Sequence, residues 1–179
     1  MAIRKGKLHL PTTYPAFEPH ITLASVQSDT PIPLSTIRES ISATQRVFQA
    51  NFKSVDVGDH YFRSVYVAVH PDETLVNLHR TVHEKLGVDP RTPKYPHMSL
   101  VYVSDEDAAS GERERYYEEL KERTLMQTKS QESEEGVELR TSADKEWIGG
   151  FGVAEIWVME CIGPVEAWVV LDKIRLLSD

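Results

Sequence analysis

Two short segments of the sequence carry the same pattern of histidine, hydroxyl and apolar residues. Proline, histidine, an apolar residue, a hydroxyl residue and leucine follow one another at positions 19–23 and again at positions 96–100. The histidines are His20 and His97, and the hydroxyl residues are Thr22 and Ser99. Side chains two apart on a strand share one face, so each motif sets an imidazole beside a hydroxyl and leaves its apolar residues for a core.

This arrangement suits hydrolysis of a phosphodiester. If the motifs face each other across a cleft, one neutral imidazole takes a proton from water and the other, protonated, gives a proton to the leaving oxygen. A histidine pKa of about 6.5 lets both forms coexist near neutrality. Thr22 and Ser99 can donate hydrogen bonds to phosphoryl oxygens in the transition state. The chemistry requires no metal ion and no cofactor, and the sequence leaves open which histidine is the base.

The repetition of the motif is more informative than either copy. A single histidine–hydroxyl–leucine pattern is expected in roughly one chain in twenty of this length. Two copies, each preceded by proline and each with an apolar middle residue, make coincidence remote. The competing interpretation is a pair of edge strands whose half-buried histidines bond to backbone.

Periodic apolar positions predict the elements that position these motifs. Helices are predicted at residues 34–48, at residues 72–86 with Gly87 as the stop, and at the charged residues 105–127. Strands are predicted at residues 18–27, 52–57, 61–69, 98–103, 150–162 and 165–176, with turns at Gly58-Asp59 and Gly163-Pro164. This mixture indicates an α+β fold. The strands are expected to form an antiparallel sandwich. Because the two motifs lie 77 residues apart and each begins a strand, an internally duplicated, two-lobed fold is expected.

The whole chain, residues 1–179, is expected to form one bilobal domain. Within it, residues around 128–146 are acidic, polar and low in hydrophobic side chains, which predicts a flexible segment.

Charge and composition narrow the classes of partner. A net charge of −8 disfavours a protein that grips a nucleic-acid backbone, so no stable nucleic-acid complex is expected. A small phosphate substrate stays possible, because a local site can be positive on an acidic protein. No apolar run reaches the roughly 20 residues of a membrane span, and no apolar stretch follows the basic start as in a secretory signal. The single Cys161 fits a reducing compartment and is expected to be buried.

The motifs resemble those of the 2H phosphoesterases, and among these the fungal and plant cyclic phosphodiesterases. The resemblance extends over most of residues 17–177 except the acidic segment. It rests on Phe17-Glu18-Pro19-His20-Ile21-Thr22-Leu23, Tyr95-Pro96-His97-Met98-Ser99-Leu100, Gly58-Asp59-His60-Tyr61-Phe62-Arg63-Ser64-Val65-Tyr66 and Gly163-Pro164-Val165-Glu166-Ala167-Trp168.

The resemblance implies a two-lobed α+β fold with an antiparallel sheet in each lobe, helices outside and the site in the cleft between the lobes. It also implies metal-independent opening of a ribose cyclic phosphate. The implied substrate is ADP-ribose 1″,2″-cyclic phosphate, a by-product of tRNA splicing, which becomes ADP-ribose 1″-phosphate. Nucleoside 2′,3′-cyclic phosphates are the wider class. His20 and His97 are then catalytic, and Thr22 and Ser99 bind the phosphate. A cytoplasmic monomer is expected, with an endomembrane or nuclear location left open.

Two positions depart from the implied pattern. Relatives use a tyrosine after the second motif, here Tyr102 as a possible substrate-binding residue, yet strand parity puts it on the face opposite His97. Only a bulge or the end of the strand would reconcile the two. Relatives also have an apolar strand and a helix before the first motif. Residues 3–10 leave room here for one short strand, so the first lobe is expected to lack an element.

Other residues and functions were weighed against these. His79 and His83, four apart on a predicted helix, are expected on a solvated face rather than in a metal site. Tyr61, Phe62 and Tyr66 either stack on a base or pack in the core. The alternative functions are an RNA 2′,3′-cyclic phosphodiesterase, a catalytically impaired nucleotide-binding protein and a structural or interaction domain.

Overall fold

The structure, a computed structural model, describes residues 12–26, 32–91, 95–131 and 134–178. The predicted strand at residues 3–10 lies outside the described residues. The elements in chain order are α1 (Leu34–Ser40), β1 (Phe48–His60), β2 (Arg63–Val69), α2 (Glu73–Leu86), β3 (His97–Val101), α3 (Asp105–Ala109), α4 (Glu112–Glu122), β4 (Met126–Gln131), β5 (Glu134–Leu139), β6 (Gly150–Val153), β7 (Glu155–Glu160) and β8 (Val169–Arg175), with a 3₁₀ turn at Val165–Ala167 before the last strand.

The strands form antiparallel sheets, which confirms the α+β class. The largest sheet has four strands in the order β3-β2-β1-β6. Two further pairs, β4-β5 and β7-β8, are each two-stranded. The C-terminal part of β1 pairs with β2, and its N-terminal part pairs with β6. This one long strand therefore connects β6 to the rest of the main sheet.

Two hydrophobic cores give the fold its two lobes. The first is built around the main sheet, α4 and the β4-β5 pair, and β2 is its centre, with Val65 and Val67 fully buried. The second lies between α2 and the C-terminal strand, where Leu78 and Val82 pack with Ile174. Helix α2 joins the two, because its first turn contributes Leu75 to the first core.

The sequence predicts α2 correctly, with both of its ends. The Asp72 carboxylate accepts a hydrogen bond from the Leu75 N–H at 2.8 Å, which satisfies one of the free amides of the first turn. Gly87 ends the helix in the left-handed conformation, with φ of 64°. The cap and the stop are both local signals, so they can be recognised without knowing the tertiary contacts.

Two predicted elements in the first third of the chain are wrong in extent. The helix predicted over residues 34–48 ends at Ser40. Residues 41–47 bend and turn before Phe48, which begins β1 and pairs with Val153. Of the strand predicted over residues 18–27, the described residues 18–26 show one isolated bridge, at Ile21, and residue 27 lies outside the described residues. Pro19 contributes no N–H to a ladder, which limits pairing on that side.

The acidic part of the chain also differs from prediction. The single helix predicted over residues 105–127 is divided into α3 and α4 at Gly111, whose φ is 78°. The acidic segment around residues 128–146, for which the sequence predicts flexibility, includes most of the hairpin of β4 and β5, which extends to Leu139. Its buried Val137 and Leu139 join the first core, and two apolar residues at alternate positions are enough to anchor a strand. The flexibility of this segment stays a prediction.

The last part of the chain folds mostly as predicted. Strands β7 and β8 pair as expected, but residues 150–153 form the separate strand β6 on the main sheet. Cys161 is exposed, so the prediction of a buried thiol was wrong; it lies just beyond the end of β7. Among the described residues, none of the helices has the length and apolar character to cross a membrane.

The hairpin of β1 and β2 turns at residues 61–62 rather than at Gly58-Asp59, because Gly58 is part of β1. A Cβ at Gly58 would lie 1.9 Å from the backbone oxygen of Arg63. The substitution Gly58→Ala should therefore force the strands apart and lower the free energy of unfolding by about 2–4 kcal/mol. Denaturant unfolding measures this. The control is Gly152→Ala, where the nearest atom lies 3.9 Å away; equal losses in both variants would contradict the steric argument.

Candidate active site

The two motifs meet through their middle residues. Ile21 forms an antiparallel bridge with Met98, the central residue of the second motif. Met98 is paired in turn with Val67 of β2, and Val67 with Val55 of β1. Residues directly opposite each other in a sheet point to the same side. All four apolar side chains therefore point into the first core.

The residues on either side of this apolar row must point the other way. The register of the bridge sets His20 opposite Ser99 and Thr22 opposite His97. The four predicted site residues thus lie together on one face, with each histidine across from the hydroxyl of the other motif. Strand β2 continues this face, since Tyr66 pairs with Ser99 and the rings of Tyr66 and His97 meet edge to face at 5.3 Å.

The orientation of His20 is set by the backbone of its own motif. Its Nδ1 lies 2.7 Å from the carbonyl oxygen of Glu18, and a carbonyl can only accept, so Nδ1 carries the proton. The other ring nitrogen, Nε2, then holds the lone pair in the neutral imidazole. The His20 side chain is exposed, whereas His97 is half-buried. One imidazole of the pair is therefore open to solvent and, when neutral, presents Nε2 as a hydrogen-bond acceptor.

The hydroxyl groups differ in their surroundings. Ser99 is 5% exposed, and its hydroxyl donates to the backbone oxygen of Phe62 at 2.6 Å. The Ser99 side chain lies close enough to the phenol of Tyr102 to lower its pKa, against the larger effect of burial. Thr22 is half-buried and lies on the strand-like segment beside His97. Ser99 must rotate to donate to a phosphate.

Tyr102 lies beside Ser99 although strand parity predicts the opposite face. Both of the expected exceptions are present. Strand β3 ends at Val101, and its pairing with β2 skips Leu100, which is a bulge. Burial raises the pKa of Tyr102 to about 12, so its phenol remains a neutral hydrogen-bond donor at physiological pH.

Phe17 is a site residue that the sequence argument missed. Its ring stacks on Tyr102 with centroids 4.2 Å apart and planes 9° from parallel. The same ring meets His20 edge-on at 6.3 Å. Phe17 therefore lies between one candidate catalytic histidine and the tyrosine that contacts Ser99. Only the presence of an aromatic residue just before the motif could have pointed to it.

Two cavities flank this face. The larger, about 470 Å³, lies beside the aromatic side chains that contact Tyr102, namely Tyr61 and Phe62, and three carboxylates line it, those of Asp105, Glu106 and Glu166. The smaller, about 300 Å³, lies over β1 and β2. Its lining includes Tyr66, the neighbour of His97, together with Ser54 and Asp56. Neither His20 nor His97 is among the described residues that line these two cavities.

The His79–His83 pair lies apart from this face and is not solvated, so that prediction was wrong. His83 is buried, and its Nδ1 donates to the His79 carbonyl at 2.8 Å. The half-buried His79 packs against Tyr95, with ring centroids 4.0 Å apart. Burial, and then the neighbouring His83, lower the pKa of His79. Within the described ranges, no three His, Cys, Asp or Glu side chains form a group that could hold a metal ion.

Trp168, near the start of β8, is half-buried and lies 5.8 Å from the Phe62 ring. Tyr61 and Phe62 line the larger cavity, whereas Tyr66 is almost fully buried within the face. Two of the three aromatic side chains that the sequence left between stacking and packing are therefore within reach of a ligand.

Comparison with known proteins identifies the family of this chain. Among curated proteins, none matches the sequence. A family model described as cyclic phosphodiesterase-like protein matches residues 3–176. The match supports the resemblance to the 2H phosphoesterases that the two motifs indicate. Because it covers nearly the whole sequence, the chain belongs to the cyclic phosphodiesterase-like family.

Proposed function

We propose that this protein is an enzyme that opens ribose cyclic phosphates, with His20 and His97 as its acid–base pair and Thr22 and Ser99 as phosphate ligands. Family membership supports cyclic phosphodiesterase activity in general. The observation that carries the mechanism is the bridge between Ile21 and Met98. It brings two imidazoles and two hydroxyls to one face, and each of the four has a role in phosphodiester hydrolysis.

The backbone spacing of the two histidines suits this chemistry. His20 lies opposite Ser99, so His97 is its diagonal neighbour across the pair of strands. The backbones of diagonal neighbours in an antiparallel pair are about 7–8 Å apart. Two imidazoles that extend from positions so spaced can flank one phosphoryl group, with a water on one side and the leaving oxygen on the other. One imidazole removes a proton from the water, and the other protonates the leaving oxygen.

ADP-ribose 1″,2″-cyclic phosphate is the substrate implied by the resemblance to the fungal and plant cyclic phosphodiesterases. Water adds to phosphorus, the bond from phosphorus to the 2″ oxygen breaks, and that oxygen takes a proton. The product is ADP-ribose 1″-phosphate with a free 2″ hydroxyl. Water and the substrate supply the electron pairs for both bond changes, so the reaction needs no cofactor.

Nucleoside 2′,3′-cyclic phosphates are the second candidate, and one observation favours them. The carboxylates of Asp105, Glu106 and Glu166 line the cavity beside Tyr61 and Phe62. The Asp105 charge is partly balanced by Arg113 at 3.1 Å. Carboxylates repel a pyrophosphate but accept hydrogen bonds from ribose hydroxyls and base amines. The same repulsion weighs against long RNA with a cyclic end.

The test incubates the protein with ADP-ribose 1″,2″-cyclic phosphate in EDTA and follows the products by phosphorus NMR. We expect a single phosphate monoester on the 1″ oxygen, at a rate that EDTA does not change. A parallel reaction with a nucleoside 2′,3′-cyclic phosphate ranks the two substrates, and a long oligonucleotide with a cyclic end tests the RNA alternative. Tight binding of nucleotide phosphates without turnover would instead indicate a catalytically impaired binding protein, and no affinity at all a structural domain.

A further inference from the structure

Three consecutive residues ahead of the first motif are held by side-chain and backbone hydrogen bonds from several elements. The Thr12 carbonyl accepts from the Tyr61 hydroxyl at 2.8 Å. The Thr13 hydroxyl donates to Asp107 at 2.5 Å and accepts from the Ser104 N–H at 3.0 Å. The Tyr14 N–H donates to the Tyr102 carbonyl at 2.9 Å. This short segment is thus fixed to the chain that immediately follows β3.

Tyr14 completes the attachment through a buried carboxylate. Its hydroxyl donates to Glu112 at 2.5 Å, and Glu112, at the start of α4, is fully buried. Arg115 also binds this carboxylate, with its Nε at 2.7 Å. A buried carboxylate requires such partners, because an unpaired charge would be costly to bury. The geometry at Tyr14 is unusual, with a φ of 61°. A bulky residue adopts this left-handed conformation only where its surroundings impose it.

The attachment leads directly to the candidate catalytic face. Three residues after Tyr14, the Phe17 ring stacks on Tyr102. Three residues later again is His20, whose ring contacts Phe17. Over residues 12–26, the described part of the segment that bears His20, pairing with β3 is confined to Ile21. A single bridge constrains a strand much less than a ladder does, so the relative position of the two motifs needs a second point of attachment.

We infer that Tyr14 and Glu112 are positioning residues, whose hydrogen bond fixes the segment carrying His20 against the strand carrying His97. The role of the pair in turnover rests on the proposed function, whereas its effect on the His20 ring does not. Tyr14 and Glu112 act through Phe17 and Tyr102. Without their hydrogen bond the segment before Phe17 is held by fewer contacts, and His20 should occupy a wider range of positions. Misplacement of a reacting group by about 1 Å can cost on the order of 100-fold in rate.

The experiment combines kinetics with NMR of the imidazole rings. Tyr14→Phe removes one hydroxyl, Glu112→Ala removes the acceptor, and Glu112→Gln keeps an acceptor oxygen. The matched control is Tyr117→Phe. It removes a tyrosine hydroxyl from α4, the helix that bears Glu112, but leaves Glu112 with its partners. In Tyr14→Phe we expect kcat to fall roughly 10-fold with little change in KM. The ¹H–¹⁵N signals of the His20 ring should move or broaden, while those of His97 stay in place.

The outcomes separate this inference from the proposed function. Glu112→Gln should retain more activity than Glu112→Ala, and Tyr117→Phe should match the wild type in kcat and in the His20 signals. Unchanged His20 signals in folded Tyr14→Phe would overturn the inference, as would a loss of activity that only follows the fraction unfolded. If the wild type opens no cyclic phosphate, the proposed function fails, and the His20 signals still decide whether Tyr14 positions that ring.

Discussion

Alanine in place of His20 or His97 is expected to abolish measurable turnover of a ribose cyclic phosphate. Removing one general acid or base typically costs about 10²–10⁴-fold in rate. In the proposed mechanism both imidazoles serve the same hydrolysis step, so the double variant should be little slower than either single variant. The measurement is kcat/KM of each purified variant, and His70→Ala is the control. The His70 ring bonds to the Glu135 carbonyl at 3.0 Å and takes no part in the paired motifs.

Added imidazole should restore more activity to His20→Ala than to His97→Ala. His20 is exposed, so a free imidazole can enter the space left in His20→Ala, whereas the half-buried His97 leaves a less accessible gap. The wild-type pH–rate profile should be bell-shaped, and its two limbs describe the pair jointly rather than either ring. Full activity in His20→Ala or in His97→Ala would exclude the two-histidine mechanism.

Alanine in place of Thr22 or Ser99 should lower kcat by about 10–1,000-fold, by analogy with other donors that stabilise transition-state charge. The structure adds a difference between the two. Ser99→Ala also deprives the Phe62 carbonyl of its hydrogen-bond donor, which should cost about 1–3 kcal/mol of unfolding free energy. Thr22→Ala should leave the unfolding free energy nearly unchanged.

Ser40→Ala is a matched control for Ser99→Ala. Ser40 is 1% exposed, and its hydroxyl donates to a backbone oxygen, that of Ile37, at 2.6 Å, the same distance as in Ser99. It should reproduce the loss of stability without the loss of kcat. Tyr102→Phe separates the phenol from the serine, since it keeps the ring that stacks on Phe17. If Ser40→Ala slowed the reaction as much as Ser99→Ala, the role of Ser99 as a phosphate ligand would be contradicted.

Local patterns were sufficient for much of the fold. Alternation along each motif correctly separated Ile21 and Met98, which enter the core, from the histidines and hydroxyls on the other side. The cap at Asp72 and the stop at Gly87 defined α2, and the β1-β2 hairpin was expected from its strand pattern. Each of these features depends on residues within a few positions of one another.

Features set by contacts between distant residues were missed. Val137 and Leu139 looked too sparse for a strand, yet the first core covers them. The His79–His83 spacing identified one helix face but did not show that Tyr95, from another segment, covers it. The helix after Pro33 ends early because Phe48 belongs to the sheet. In each case a partner distant in sequence overrides the local preference of the residues.

In the candidate site, too, local sequence determined some features and contacts between distant residues determined the others. The sequence by itself determined which four side chains belong together, because strand parity follows from residue spacing alone. Only the tertiary structure decided that the motifs are antiparallel neighbours, with His20 across from Ser99 and Thr22 across from His97. It also decided that the bulge at Leu100 brings Tyr102 beside Ser99. Register and bulges depend on which strands pair, and pairing is a property of the folded chain rather than of any segment.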